Sequence, residues 1–149
     1  MEKITVGWRE WLALPDLGIP HVKAKIDTGA RTSALHAFSV EPYHDDKGVL
    51  MVRVKVHPYQ DNVEFEQGFD AEVLDQRWVS DSGGHKEQRF VINTAIKLGS
   101  MTWDAEMTLT NRDSMKFRML LGRTAMEGQI IVDPAASFLV GEKPKKGKS

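Results

Sequence analysis

Apolar and polar residues alternate with period two along most of the chain. The clearest run is Met101-Thr-Trp-Asp-Ala-Glu-Met-Thr-Leu-Thr110, in which Met101, Trp103, Ala105, Met107 and Leu109 are apolar and the residues between them polar. Successive strand side chains point to opposite faces, so this run predicts a half-buried strand. Residues 52–57 alternate in the same way and stop at Pro58, and residues 90–98 and 115–119 predict further strands. Residues 4–14 and 22–26 read as strands on either side of a turn-rich link, 15–20. Residues 129–133 and 137–140 predict short closing strands, and the acidic stretch 43–48 an exposed loop. A helix of one or two turns is predicted only at 123–128, ended by Gly128. Residues 76–88 carry Asp81-Ser-Gly-Gly84 between two apolar segments, the pattern of a hairpin with a glycine tip. Short strands with frequent turn signals predict an all-β barrel or sandwich.

Composition narrows the classes. The chain has 149 residues, 41% hydrophobic and 28% charged, with a net charge of −1 and no cysteine. That length suits one domain with a core of its own. The absence of cysteine excludes disulfide scaffolds, thiol nucleophiles and thiolate zinc sites. The near-zero charge argues against a nucleic-acid coat. No apolar run approaches the ~20 residues of a membrane helix, and the N-terminus lacks a secretory pattern, so the expected location is the cytoplasm. Residues 142–149 hold four lysines and one glutamate. They are expected to form a disordered basic tail after a folded unit at 1–141.

The candidate chemistry lies at residues 22–35. Val22, Ala24 and Ile26 form an apolar strand face that runs into Asp27-Thr28-Gly29-Ala30. A carboxylate at the end of such a strand is partly desolvated. Thr28 can brace the loop, and Gly29 lets other atoms approach closely. Lys23 and Lys25 fall on the solvent face. Trp8 and Trp11 read as core or interface residues.

Asp27-Thr-Gly-Ala30 after an apolar strand, with Met119-Leu-Leu-Gly-Arg123 opening a short helix, resembles the retropepsin-like aspartic peptidases. Longer matches, Lys23 to His36, Trp78 to His85, and Leu109 to Thr124, resemble a bacterial family labelled ATP-dependent zinc protease, whose members sit near or are fused to ATP-grasp glutamate ligases of the RimK type. The resemblance covers about residues 6–140 and implies a closed acid-protease-like β-barrel with a flap hairpin and one short helix. It implies a hydrolase in which Asp27 is the catalytic acid or base, with Thr28, Gly29 and Ala30 holding its loop. Arg31, Ser82, Gly83, Gly84 and His85 would meet the substrate, and Leu121, Gly122 and Arg123 would pack beneath the loop.

Peptide hydrolysis by this route needs two carboxylates sharing one proton. This chain is too short to carry both halves of a pepsin-like enzyme, so a second Asp27 is expected from a second copy across a two-fold axis. Asp81-Ser-Gly83 is a weaker candidate for the second acid. Viral retropepsins carry an acid after Asp-Thr-Gly-Ala, where this chain has Arg31. Arg123 must then find another partner, with Asp113 a candidate. The two arginines would suit an acidic peptide or protein substrate such as a glutamate tail, and an ATP-grasp ligase is a candidate partner. No cofactor is expected. There is no His-Glu-x-x-His, and a zinc site would need scattered residues such as Asp27, His36 and His85 to converge. The alternatives are a metal-dependent peptidase on the same scaffold and a non-catalytic module that binds a peptide or partner.

Overall fold

The computed structural model describes residues 3–58, 66–80, 83–111 and 117–140. The fold is mostly β, with one short helix. In chain order the strands are β1 (Ile4–Val6), β2 (Arg9–Leu14), β3 (Ile19–Ile26), β4 (Ser33–His36), β5 (Ser39–His44), β6 (Leu50–Val56), β7 (Gln67–Glu72), β8 (Asp75–Ser80), β9 (Lys86–Leu98), β10 (Met101–Thr110), β11 (Met119–Leu121) and β12 (Ile130–Val132). The helix α1 spans Arg123–Met126 between β11 and β12.

Seven strands form the main sheet in the order β10-β4-β11-β3-β2-β9-β8. β9 also pairs with β10, so the hydrogen-bonded path from β10 through β4, β11, β3 and β2 returns to its start. Two of the pairings in this path are parallel, β4 with β10 and β3 with β11. β5, β6 and β7 form a separate antiparallel sheet, and β1 with β12 a two-stranded parallel one.

The inward positions follow the period-two pattern. Val52, Val54 and Val56 are buried while Arg53 and Lys55 face solvent. Leu14, Ile19, Leu35, Ile92, Met107 and Met119 lie in the core with almost no exposed surface. Each such side chain contributes about 1.5–3 kcal/mol through its removal from water.

Several expectations are corrected. Residues 4–14 are two strands, broken at Gly7-Trp8. Residues 137–140 are no strand but a strap laid across the start of β2. Of the described part of the run 115–119, residues 117–119, Met119 alone is in a strand, which continues to Leu121; residues 112–116 lie outside the described ones. The stretch 43–48 is partly β5, which reaches His44. β4 escapes the alternation test because all four of its residues are buried. β5 carries Pro42, tolerated because it is an edge strand. β7 contains one buried residue, Phe69, and no β-branched ones. Residues 141–149, and with them the basic tail, lie outside the described residues.

The strap is held by Glu10. Its side chain is fully buried on β2 and accepts backbone N–H bonds from Gly7 (2.7 Å), Leu139 (2.7 Å) and Val140 (3.2 Å). Gly7 is required there: a Cβ would lie 2.3 Å from the Ala136 carbonyl oxygen. Arg9 binds the Ser137 hydroxyl at 3.2 Å, and its guanidinium lies over both the Trp8 and Phe138 rings. The Trp8 carbonyl then accepts the Ile26 N–H at 2.8 Å, which ties this corner to the residue before Asp27.

Candidate functional site

Asp27 ends β3. Its backbone N–H donates to the Leu121 carbonyl at 2.9 Å, so the parallel pairing of β3 and β11 runs into the loop itself. Its carboxylate accepts the Gly29 N–H at 3.0 Å, and the Ala30 N–H donates to the Asp27 carbonyl at 3.2 Å. Gly29 fits beneath the carboxylate because a Cβ there would lie 3.3 Å from Oδ1. Asp27 is half-buried, with Thr28 and Gly29 exposed.

The segment after β11 cradles this loop. The Arg123 N–H donates to the Ala30 carbonyl at 2.7 Å, and both the N–H and the hydroxyl of Thr124 donate to the Arg31 carbonyl at 2.9 Å. The Arg123 guanidinium donates to the Thr28 carbonyl at 3.1 Å. Arg123 thus binds a loop carbonyl, and the candidate partner Asp113 lies outside the described residues. Thr28 braces the loop through this carbonyl, where the sequence suggested its hydroxyl.

Gly122 passes close behind. Its N–H donates to the Ser33 hydroxyl at 2.9 Å, and the Ser33 carbonyl accepts the Thr108 hydroxyl at 3.1 Å. A Cβ on Gly122 would lie 2.5 Å from the Thr32 carbonyl carbon. α1 is fixed from the other side, where the Trp103 indole N–H donates to the Ala125 carbonyl at 2.9 Å. Asp27, Thr28, Gly29, Ala30, Arg31, Leu121, Gly122 and Arg123 are therefore brought together. Ser33 and Thr124, which lie within the matched runs but were given no role, and Thr108 and Trp103, which lie outside them, complete the cradle. Glu10 had one weak signal, an acid among Trp8, Trp11 and Leu12.

β8 and β9 form the hairpin expected at 76–88. Gly83, Gly84 and His85 are exposed at its tip, where Gly84 has φ +84°. Ser82, and with it Asp81 as a second acid, lies outside the described residues. The stem carries an ion-paired ladder. Arg77 donates to Asp75 at 2.8 Å and to Glu106 at 2.7 Å, and Arg89 to Glu87 at 2.9 Å. The bond from Arg77, then that from the Gln76 N–H, hold the Asp75 carboxyl below its ordinary range.

Among the described residues no three His, Asp or Glu side chains converge as a metal donor set. His36 is buried in β4, and His85 is exposed beside the hairpin tip, so they do not assemble with Asp27. No helix of the described residues is long and apolar enough to cross a membrane.

Comparison with known proteins places this arrangement. The chain is 45% identical over 141 residues to a probable alpha-L-glutamate ligase of Shewanella pealeana, covering 95% of this chain and 31% of that protein. It is 45% identical over 140 residues to one of Parasynechococcus marenigrum, covering 94% of this chain and 30% of that protein. The chain thus spans under a third of these relatives. A solved structure from Legionella pneumophila, of unknown function, superposes with a TM-score of 0.76 at 28% identity, covering 93% of this chain and 99% of the other. A sequence profile matches residues 5–143, so the chain belongs to the RimB-like family, described as the retropepsin-like aspartic endopeptidase RimB.

Proposed function

We propose that the chain is one half of an aspartic peptidase whose catalytic pair is Asp27 from each of two copies. The observation that carries this reading is the placement of Asp27. One half-exposed carboxylate stands at the end of β3, on a loop braced by Leu121, Arg123 and Thr124, and the chemistry needs one carboxylate more. Two carboxyls about 3 Å apart cannot both ionise, so they would share a proton. The ionised one takes a proton from water as it attacks the peptide carbonyl, and the protonated one donates to the carbonyl oxygen. Collapse of the tetrahedral intermediate then breaks the C–N bond, with a proton passing to the leaving amine.

Two features support a second copy. Each strand of the β1–β12 sheet pairs only with the other among the described residues, and two strands alone are marginal in water. Ile131 within this sheet, and Phe138 and Leu139 on the strap that follows β12, are exposed. In this reading the returning path of strand pairings is a closed barrel, the β8–β9 hairpin is its flap, and Arg31 and Arg123 favour an acidic peptide. The names of the relatives make a glutamate tail the first substrate to try and an ATP-grasp ligase the first partner.

The test is digestion of glutamate-rich peptides across pH 4–8 by the parent chain and Asp27→Asn, with and without chelator. Cleavage abolished by Asp27→Asn and indifferent to chelator is the expected result. Cleavage retained by Asp27→Asn sinks the proposal, loss with chelator favours a metal-dependent peptidase, and no cleavage by either favours a binding module.

A further inference from the structure

The two faces of the β8–β9 hairpin differ in chemistry. Residues directly opposite on antiparallel strands share a face. Asp75 and Arg77 lie opposite Val91 and Arg89, and this face carries the ladder to Glu87 and Glu106. On the other face Gln76 lies opposite Phe90, Trp78 opposite Gln88, and Ser80 opposite Lys86. Among the described residues this second face has no acidic side chain, and Lys86 is its one ionic side chain.

The second face continues the side of β9 that packs the core. Ile92, opposite Met107, is fully buried; Phe90, one step outward, is half-buried; Gln88 and Trp78, the next step, lie in solvent. The Trp78 side chain is 69% exposed, more than any other large hydrophobic among the described residues. Leu74, just before β8, is 54% exposed. A large aromatic left in water on a paired hairpin is the usual form of a binding anchor.

We propose that Trp78 is the anchor by which the hairpin holds an extended acidic polypeptide along this face. The indole packs on the polypeptide, the Gln76 and Gln88 amides meet its backbone groups, and Lys86 meets an acidic side chain. Charge complementarity selects this occupant, because among the described residues the face is cationic through Lys86 and carries no acid. The proposal rests on the peptidase reading above, which supplies the polypeptide.

The test uses the full chain carrying Asp27→Asn, with a fluorescein-labelled octaglutamate and a Gly-Ser peptide of equal length as probes. Trp78→Ala is expected to weaken octaglutamate binding by about tenfold or more, and Trp78→Phe to recover most of it. With Asp27 intact, Trp78→Ala is expected to raise KM for the octaglutamate while kcat stays within about twofold. Circular dichroism checks that both variants fold. Failure of the Asp27→Asn chain to bind octaglutamate, equal binding of the Gly-Ser peptide, or binding unchanged by Trp78→Ala overturns the proposal. Lost binding that tracks a fall in sedimentation coefficient overturns it too, since Trp78 would then be a contact between copies. Trp78-dependent binding by a chain that never cleaves would sink the peptidase reading and leave this proposal standing; cleavage with KM unmoved by Trp78→Ala would do the reverse.

Discussion

The Ser33 hydroxyl accepts the Gly122 N–H at 2.9 Å, joining the start of β4 to the turn between β11 and α1 directly behind the Asp27 loop. Both residues are buried, so water does not replace the bond. Gly122 can come this close only because it has no Cβ; one would sit 2.5 Å from the Thr32 carbonyl carbon and 2.8 Å from the Ser33 nitrogen.

That contact predicts unequal costs for two small substitutions. Ser33→Ala leaves a buried N–H without its acceptor and should destabilise by about 1–3 kcal/mol. Gly122→Ala forces backbone apart and should cost about 3 kcal/mol, the upper end for over-packing. Urea denaturation of both variants checks the order, and equal stability of Gly122→Ala and the parent would refute it.

Glu10 predicts a local effect. In Glu10→Gln one carboxylate oxygen becomes an amide NH2 that faces a backbone N–H, on the side of either Val140 or of Gly7 and Leu139. The expected loss is about 2–3 kcal/mol. Hydrogen exchange at the Leu139 and Val140 amides should accelerate more than exchange in β9 or β10. Unchanged protection at these amides would mean that something other than Glu10 holds the strap.

The difference between what was legible in sequence and what was not is physical. β6 and the first half of β10 alternate because one face meets the core and the other water, so their side chains report the strand directly, while the end of β10 buries Thr108 and Thr110 as well. β4 packs on both faces and leaves no such trace. The Asp27 loop and the Leu121-Gly122-Arg123 segment were readable as sequence motifs, 95 residues apart between Thr28 and Arg123. Their bracing was not, because it runs through backbone carbonyls of Thr28, Ala30 and Arg31 that any residue type would present. Ser33 and Glu10 matter through what they meet in space, Gly122 and the strap, and no spacing along the chain encodes either.

Asp75 predicts the sign of a pH effect at the hairpin. Its carboxyl is held below the ordinary value, first by Arg77 and then by the Gln76 N–H. A group whose pKa is depressed on folding stabilises the fold above its ordinary value of about 3.9 and loses that contribution as pH falls through the depressed pKa. NMR titration should show Asp75 shifting back toward the ordinary value in Arg77→Ala. The difference should shrink at high salt, because the pair is exposed. An Asp75 titration indifferent to Arg77→Ala would show that the ladder does not form in solution.

Ile131 predicts the behaviour of the pair of copies. It lies in β12 opposite Thr5, 53% exposed, and Leu139 is exposed on the strap that follows β12. If this corner is where two copies meet, a two-fold interface contains each substitution twice. Burying the exposed half of an isoleucine is worth about 1 kcal/mol, so two of them contribute about 2 kcal/mol. Ile131→Asp removes that and adds two carboxylates to be desolvated. Since 1.4 kcal/mol is tenfold in affinity, the dimer dissociation constant should rise by well over about tenfold. The fold should survive, because the side chain is mostly in solvent within one copy. Sedimentation velocity over a concentration series reads the dissociation, thermal melting reads the fold, and peptide cleavage should fall in step with the dimer fraction. A variant that stays dimeric would move the interface elsewhere. One that is monomeric yet cleaves at the parent's rate would place both catalytic groups within a single chain.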